Sequence, residues 1–170
     1  MRCGIQNQQD IYLTTRIQCT YYRTWGLLID SFQGEYRWLS NFWPAVVEWG
    51  GRKYPTVEHA YQVAKFDKRP DIQDRIRSMR GPGQAKREAK CWRRYVRKDW
   101  SAVRVVIMKE LLQQKFAIPT LREKLLQTGQ VTLIEGNTWG DTFWGVCHGI
   151  GYNTLGKLLM EIRTTLQNER

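Results

Sequence analysis

The chain is predicted to fold as an α+β protein: one compact, helix-rich domain with a small β-sheet. Three observations predict this. Apolar residues recur at helical spacing through most of the chain from Val57 onward. Strand-like runs are few, short and bounded by Gly, Asn or Pro. The chain has 170 residues, 42% hydrophobic and 25% charged, enough for one core, and nothing in it marks an internal domain boundary.

The elements follow in order. Residues 1–24 are polar and weakly patterned and read as an N-terminal extension, which leaves residues 25–170 as the domain. Trp25 to Asp30 reads as a short strand. Ser31 to Phe42 is aromatic, is punctuated by Gly34 and Asn41, and reads as a loop. Ala45–Trp49 and Arg52–Tyr54 flank Gly50-Gly51, the pattern of a tight hairpin. Thr56 is placed to cap a helix over Val57–Phe66. Further helices are predicted over Asp71–Met79, stopped by Gly81-Pro82-Gly83, and over Gln84–Lys98. Asp99 is expected to cap a fourth, whose apolar positions are Trp100, Val103, Ile107 and Leu111. Pro119 opens a short fifth that Gly129 ends. Val131–Glu135 reads as a strand, Gly136–Gly151 as a Gly- and Trp-rich loop, and Asn153–Gln167 as an amphipathic helix.

No apolar run approaches the roughly 20 residues that span a bilayer. The N-terminus lacks the apolar stretch of a secretory signal. These features predict a soluble, cytoplasmic protein with no membrane partner. Cys3, Cys19, Cys91 and Cys147 form no CxxC pair, and His59 and His148 lie far apart. A structural metal site groups its ligands in close pairs, so none is expected, and the thiols are expected to be reduced.

The charge is uneven. Residues 65–124 hold 18 basic and 7 acidic residues, which equals the net +11 of the whole chain. The densest stretch, KREAKCWRRYVRK, sets Trp92 and Tyr95 among cations. Such a face favours a polyanionic partner, although phosphate contacts carry no sequence information.

The segment VEHAYQVAKF, Val57 to Phe66, carries the sharpest signal. At about 100° per residue, Gln62 falls about 40° from Glu58, and Lys65 about 20° to its other side. Apolar residues fill nearly every other direction, as in a buried helix. The polar stripe therefore either faces bulk water or lines a pocket. In a dry cleft beside other cations, Lys65 would lose its proton readily and serve as a nucleophile, with a carboxylate on the same stripe to move protons. A second constellation is NTWGDTFWG, where Asp141 lies between Trp139 and Trp144. A carboxylate there is either a loop cap or an acid/base group with a raised pKa. Trp100 reads as core or as a stacking platform. There is no GxxxxGK[ST], no GxGxxG after a strand and no GxSxG, so P-loop hydrolysis, Rossmann redox chemistry and serine hydrolase chemistry are poor fits.

These residues resemble the NADAR family, also called YbiA-like. The resemblance runs from about Ile29 to Leu166 in ordered pieces: YRWLSNFWP, YPTVEHAYQVAK, Trp100 with Arg104 and Met108, Lys115-Phe116, Asp141 with Trp144-Gly145, and GYNTLGKLLMEIR. It implies a YbiA-like fold and cleavage of an N-glycosidic bond between a ribose and an amine, with no cofactor and no metal. Members act on ADP-ribose attached to guanine in nucleic acid, or on ribosylamino-pyrimidine phosphates of riboflavin synthesis. A non-catalytic module that binds NAD or ADP-ribose is the third reading.

By resemblance, Glu58, Lys65 and Asp141 are catalytic. Lys65 would form a Schiff base with the sugar, and either Glu58 or Asp141 would protonate the leaving amine and later activate water. The matching stretches add Arg37, Asn41, Phe42, Gln62, Trp100, Trp144, Gly145 and Asn153 as substrate-binding residues. The implied partners are ADP-ribosylated DNA or RNA, or a nucleotide-like small molecule, together with an ADP-ribosyltransferase toxin of the kind that some members counteract. Cys147-His148 departs from a stretch that is often richer in Gly. The charge of residues 65–104 tilts the expected substrate toward nucleic acid.

Overall fold

A computed structural model describes residues 28–169. The expected N-terminal extension and the start of the strand expected from Trp25 lie outside the described residues. The chain forms β1 (Leu28–Ile29), a 3-10 turn (Gly34–Leu39), the hairpin β2 (Val47–Trp49) and β3 (Arg52–Tyr54), then α1 (Val57–Val63), α2 (Pro70–Arg77) and α3 (Pro82–Cys91). A second 3-10 turn (Arg93–Tyr95) leads to α4 (Trp100–Ala117), α5 (Pro119–Gln127), β4 (Thr132–Leu133), β5 (Gly136–Asn137), β6 (Val146–Cys147) and α6 (Thr154–Asn168). The helix-rich α+β architecture agrees with the sequence reading. The strands form three separate pairs: β1 with β4 and β5 with β6 in parallel, and β2 with β3 antiparallel.

The centre of the fold is α1. Every one of its residues is buried, because α2, α3 and α4 pack around it. Its start is fixed by Thr56, whose Oγ1 accepts from the His59 backbone N–H at 3.3 Å. The same hydroxyl lies 2.8 Å from His59 Nδ1, while His59 Nε2 lies 3.1 Å from the Met79 carbonyl. The carbonyl can only accept, so Nε2 carries the proton and Nδ1 accepts from Thr56. Burial pushes the His59 pKa down and keeps the ring neutral. This histidine ties α1 to the end of α2.

Four local expectations change. The loop predicted over Ser31–Phe42 contains the 3-10 turn, which buries Trp38 and Leu39; its three-residue period leaves no 3.6-residue signal. The helix predicted over Gln84–Lys98 ends at Cys91. Its continuation would stack Lys90, Arg94 and Lys98 one turn apart on a single face, and the Arg97 N–H is instead taken by the Lys65 carbonyl at 2.8 Å. Asp99 precedes α4, but its carboxylate makes no cap and pairs with Arg97 at 2.6 Å. The loop over Gly136–Gly151 holds the short strands β5 and β6.

Lys115 on α4 is fully buried. Its Nζ donates to the carbonyls of Ser40 at 2.7 Å and Leu39 at 3.4 Å. Burial pushes its pKa down to about 7, against the smaller opposing pull of Glu135. This lysine pins the end of the first 3-10 turn to α4.

Gly156 shows how tightly α6 meets β4. A Cβ there would strike the Leu133 carbonyl and the Asn153 side chain. Gly156→Ala gains about 1 kcal/mol of helix propensity, yet overpacking against backbone costs more. The variant is expected to lose about 1–2 kcal/mol net in urea unfolding, whereas a surface helix would gain stability from the same change.

Candidate active site

The polar stripe of α1 faces a cavity of about 760 Å³. Glu58 and Gln62 are 6% and 3% exposed, so the stripe does not face bulk water. Gln62 Nε2 donates to Glu58 Oε1 at 2.7 Å. Burial pushes the Glu58 pKa up; Gln62, Lys86 and Lys65 pull it back only in part.

Lys65 follows the end of α1 and reaches the same cavity. Its Nζ sits 5.4 Å from the Tyr61 ring centre and 5.6 Å from that of Trp100. Those faces favour the ammonium, as does Glu58, but burial outweighs both and the Lys65 pKa is lowered. The expectation joined neighbouring cations with a dry cleft. The larger cause is desolvation, with Lys86 a minor contributor.

The aromatic wall is built on Tyr61. Trp100 tilts against it at 5.0 Å and Trp144 meets it edge-on at 5.5 Å. Asp141 closes the loop beside them: its Oδ1 accepts from the backbone N–H groups of Phe143 at 3.1 Å and Trp144 at 2.9 Å. Asp141 is thus a loop cap, and it also lines the cavity. Arg37, Asn41 and Phe42 come from the first 3-10 turn and the residues after it, and also line the cavity.

Two expected binding residues do not line the cavity. Asn153 Oδ1 accepts from the Glu135 N–H at 3.0 Å, and its Nδ2 donates to the Leu133 carbonyl at 2.9 Å. Asn153 is also left-handed, at φ 51°, so its amide is spent holding β4 and the residues after it. Gly145 is buried against the Glu135 carbonyl, where any Cβ would collide. Both residues shape the wall from behind.

Sequence reasoning gave no site role to three charged residues of the cavity: Lys86, Glu135 and Arg104, the last named only within the resemblance. Arg104 Cζ stacks 3.5 Å from the Phe143 ring centre. Its position one turn after Trp100 on α4 was the available signal. Lys86 was counted in the charge excess but not singled out. Glu135 is a lone carboxylate at the end of a predicted strand, and nothing in its spacing distinguishes it.

Among the described residues, the buried side-chain polar atoms without a partner are Asn41 Oδ1, Gln62 Oε1, Arg104 Nε and Glu135 Oε2. All four residues line this cavity. An orphaned buried polar group costs about 1–3 kcal/mol, so these atoms are set to bond a guest. No cluster of three or more His, Cys, Asp or Glu residues among those described could hold a metal ion.

The profile of the NADAR domain family matches residues 29–167. The chain belongs to the NADAR family. It is 37% identical over 137 residues to an N-glycosidase of Nostoc punctiforme, covering 78% of this chain and 87% of that one. It is 37% identical over 145 residues to the N-glycosidase YbiA of Escherichia coli, covering 82% of this chain and 88% of that one. A Vibrio vulnificus protein named for riboflavin biosynthesis is 36% identical over 131 residues, covering 76% of this chain but 35% of that longer one. The solution structure of Escherichia coli YbiA superposes with a TM-score of 0.73 at 34% identity, covering 83% of this chain and 84% of that one. The NADAR fold thus holds over the cavity-bearing part of the chain. Among the described residues, no helix is long and apolar enough to cross a membrane.

The lowered Lys65 pKa has a chemical readout. A small amine-acylating reagent at limiting concentration is expected to modify Lys65 at lower pH than the exposed lysines, as mapped by peptide mass. Glu58→Gln removes a charge that favours the ammonium, so the onset of Lys65 labelling should move to still lower pH.

Proposed function

We propose that this chain is an N-glycosidase that cleaves the bond between a ribose anomeric carbon and an amine. The observation that carries the reading is Lys65, an amine with a lowered pKa, sharing one cavity with the carboxyl groups of Glu58 and Asp141. The N-glycosidase names of its relatives support it.

A ribose on an exocyclic amine ring-opens to an imine, which exposes its anomeric carbon to a neutral amine. Lys65 Nζ attacks that carbon and replaces the leaving amine, giving a Schiff base that water then hydrolyses. Glu58, on α1 seven residues before Lys65, lines the same cavity and takes up its proton; Asp141 steadies the cationic imine. Asn41, Gln62 and Arg104 offer unpaired atoms to the sugar and its phosphates. Trp100 and Trp144 offer flat faces to a base.

The substrate we favour is guanine in nucleic acid carrying ADP-ribose, which makes the reaction an ADP-ribosylhydrolase step that reverses the work of an ADP-ribosyltransferase. Support comes from the basic segment, which adjoins the cavity. Lys86 lines it. Gly83, one turn before Arg87 on α3, lies against Phe42. Farther out, Tyr95 sits between Arg69 and Arg94, at 4.2 and 4.7 Å from their guanidinium carbons. A polynucleotide would find both phosphate partners and a ring to stack on. The second reading is a ribosylamino-pyrimidine phosphate, favoured by the riboflavin-biosynthesis name of the Vibrio vulnificus relative.

The test is an oligonucleotide carrying ADP-ribose on one guanine, followed by mass. Wild type is expected to restore the unmodified strand, and borohydride during turnover should trap a sugar adduct on Lys65. Lys65→Ala should abolish both while remaining folded; full activity in that variant rejects the lysine route. Arg87→Glu with Arg94→Glu should raise KM for the oligonucleotide and leave ADP-ribosyl-guanosine turnover unchanged. Equal effects on the two substrates would favour the small metabolite.

A further inference from the structure

The cavity holds a third carboxyl group that the reading above does not use. Glu135 lies just after β4, and its side chain lines the cavity. It feels Asp141, Glu58, Lys86 and Lys115, two acids and two bases drawn from four other parts of the chain. Its placement is rigid. The Glu135 N–H donates to Asn153 Oδ1 at 3.0 Å, and its carbonyl accepts from the Val146 N–H at 2.9 Å. Gly145 leaves the room in which the Glu135 carbonyl and Cγ sit.

The three carboxyl groups differ in what holds their oxygens. Glu58 Oε1 accepts from Gln62, and Asp141 Oδ1 accepts from two backbone N–H groups. Glu135 Oε2 is buried with no partner at all. A bare buried carboxylate oxygen is costly, whereas a carboxylic acid O–H there has its donor free for a guest. Burial and the two neighbouring acids push the Glu135 pKa up to about 7, against Lys115 and Lys86.

We propose that Glu135 is the catalytic acid that protonates the leaving amine. The assignment rests on the N-glycosidase reading. Once Lys65 Nζ has added to the anomeric carbon, that carbon carries two nitrogens. The bond to the substrate nitrogen breaks, and its electron pair stays with that nitrogen, which takes the proton from Glu135. The Lys65 nitrogen lone pair closes the C=N bond. Water then adds to the imine carbon and gives one proton to the Glu135 carboxylate, which restores the acid. The carbinolamine collapses as its hydroxyl proton passes to Lys65 Nζ. The C–N bond breaks with its electron pair staying on that nitrogen, and the sugar aldehyde and free lysine are released. Asn153 and Gly145, which hold Glu135 from behind, are positioning residues for this step.

Glu135→Gln keeps the shape and removes the proton. On the ADP-ribosylated oligonucleotide, kcat should fall about 100-fold or more with KM little changed. The alkaline limb of the wild-type kcat profile, set by loss of the Glu135 proton near pH 7, should disappear. Glu135→Asp should recover part of the rate. Infrared difference spectra of wild type against Glu135→Gln should show a protonated carboxyl at pH 6 that the variant lacks. The raised pKa also sets a sign on stability: stability from Glu135 is present below its unfolded value of 4.5 and is lost as pH rises through about 7. Glu135→Gln should therefore unfold a few degrees higher than wild type at pH 8. An unchanged kcat profile, or no protonated carboxyl at pH 6, overturns the assignment while leaving the glycosidase reading intact. A wild-type protein inert toward every N-riboside overturns both, even with the infrared band present.

Discussion

Everything at the site depends on the desolvation of one short helix. α1 is enclosed by α2, α3 and α4, and the two polar side chains of its stripe, Glu58 and Gln62, have one direction left to point. Burying a carboxylate and an amide without full partners costs several kcal/mol, so the surrounding packing has to be strong enough to hold them. The Thr56 cap and the neutral His59 bridge to Met79 do part of this work from the back of the helix. They also explain a buried histidine without invoking chemistry for it. The same desolvation raises Glu58 and lowers Lys65, bringing an acid and a base toward each other in proton affinity. Proton exchange between such groups is easier than between a normal carboxylate and a normal lysine.

A second layer of burial lies behind the first. Lys115 and Glu135 have both moved to about 7 from opposite ends of the scale. Their effects on stability run in opposite directions with pH. Stability from Lys115 is complete above its unfolded value of 10.5 and falls away as pH drops through about 7; that from Glu135 is complete below 4.5 and is lost as pH rises through about 7. From these two groups alone, stability is lowest around neutral pH. A fold under no demand but stability would replace both with apolar side chains. Lys115 has an evident use, since its amine holds the Leu39 and Ser40 carbonyls beside Asn41. The orphaned Glu135 oxygen has no such structural use.

The fold was legible wherever a period or a cap residue wrote it. The hairpin around Gly50-Gly51, the Thr56 cap, the Pro119 start and the Gly129 stop all stand as read. Structures too short to have a period were not legible: the 3-10 turns and the two-residue strands β5 and β6. At the site, the α1 stripe was legible because its polar positions interrupt an otherwise apolar helix. Asn153 and Gly145 were misplaced for the converse reason. A matching stretch of sequence contains both the residues that face a ligand and those that hold them, and only packing separates the two. Glu135 was invisible because nothing in its spacing distinguishes one strand-end carboxylate from another.

The polarity of the cavity argues for the order in which a substrate enters. Arg37 and Lys86 are exposed side chains at its lining, and the basic face continues outward from Lys86 along α3. Glu58, Glu135 and Asp141 line the same cavity as Lys65 and Arg104, so acids and bases share its walls. A molecule that is anionic throughout would be drawn to the mouth and resisted within. One whose phosphates stay at the rim, while its sugar carbon turns cationic inside, meets a favourable charge at both places. Desolvation sharpens the second half of this match, because a positive charge that develops among buried carboxyl groups is stabilised more strongly than one in water. The low-dielectric pocket that makes three acids costly to hold is also what would make them effective against the imine we propose.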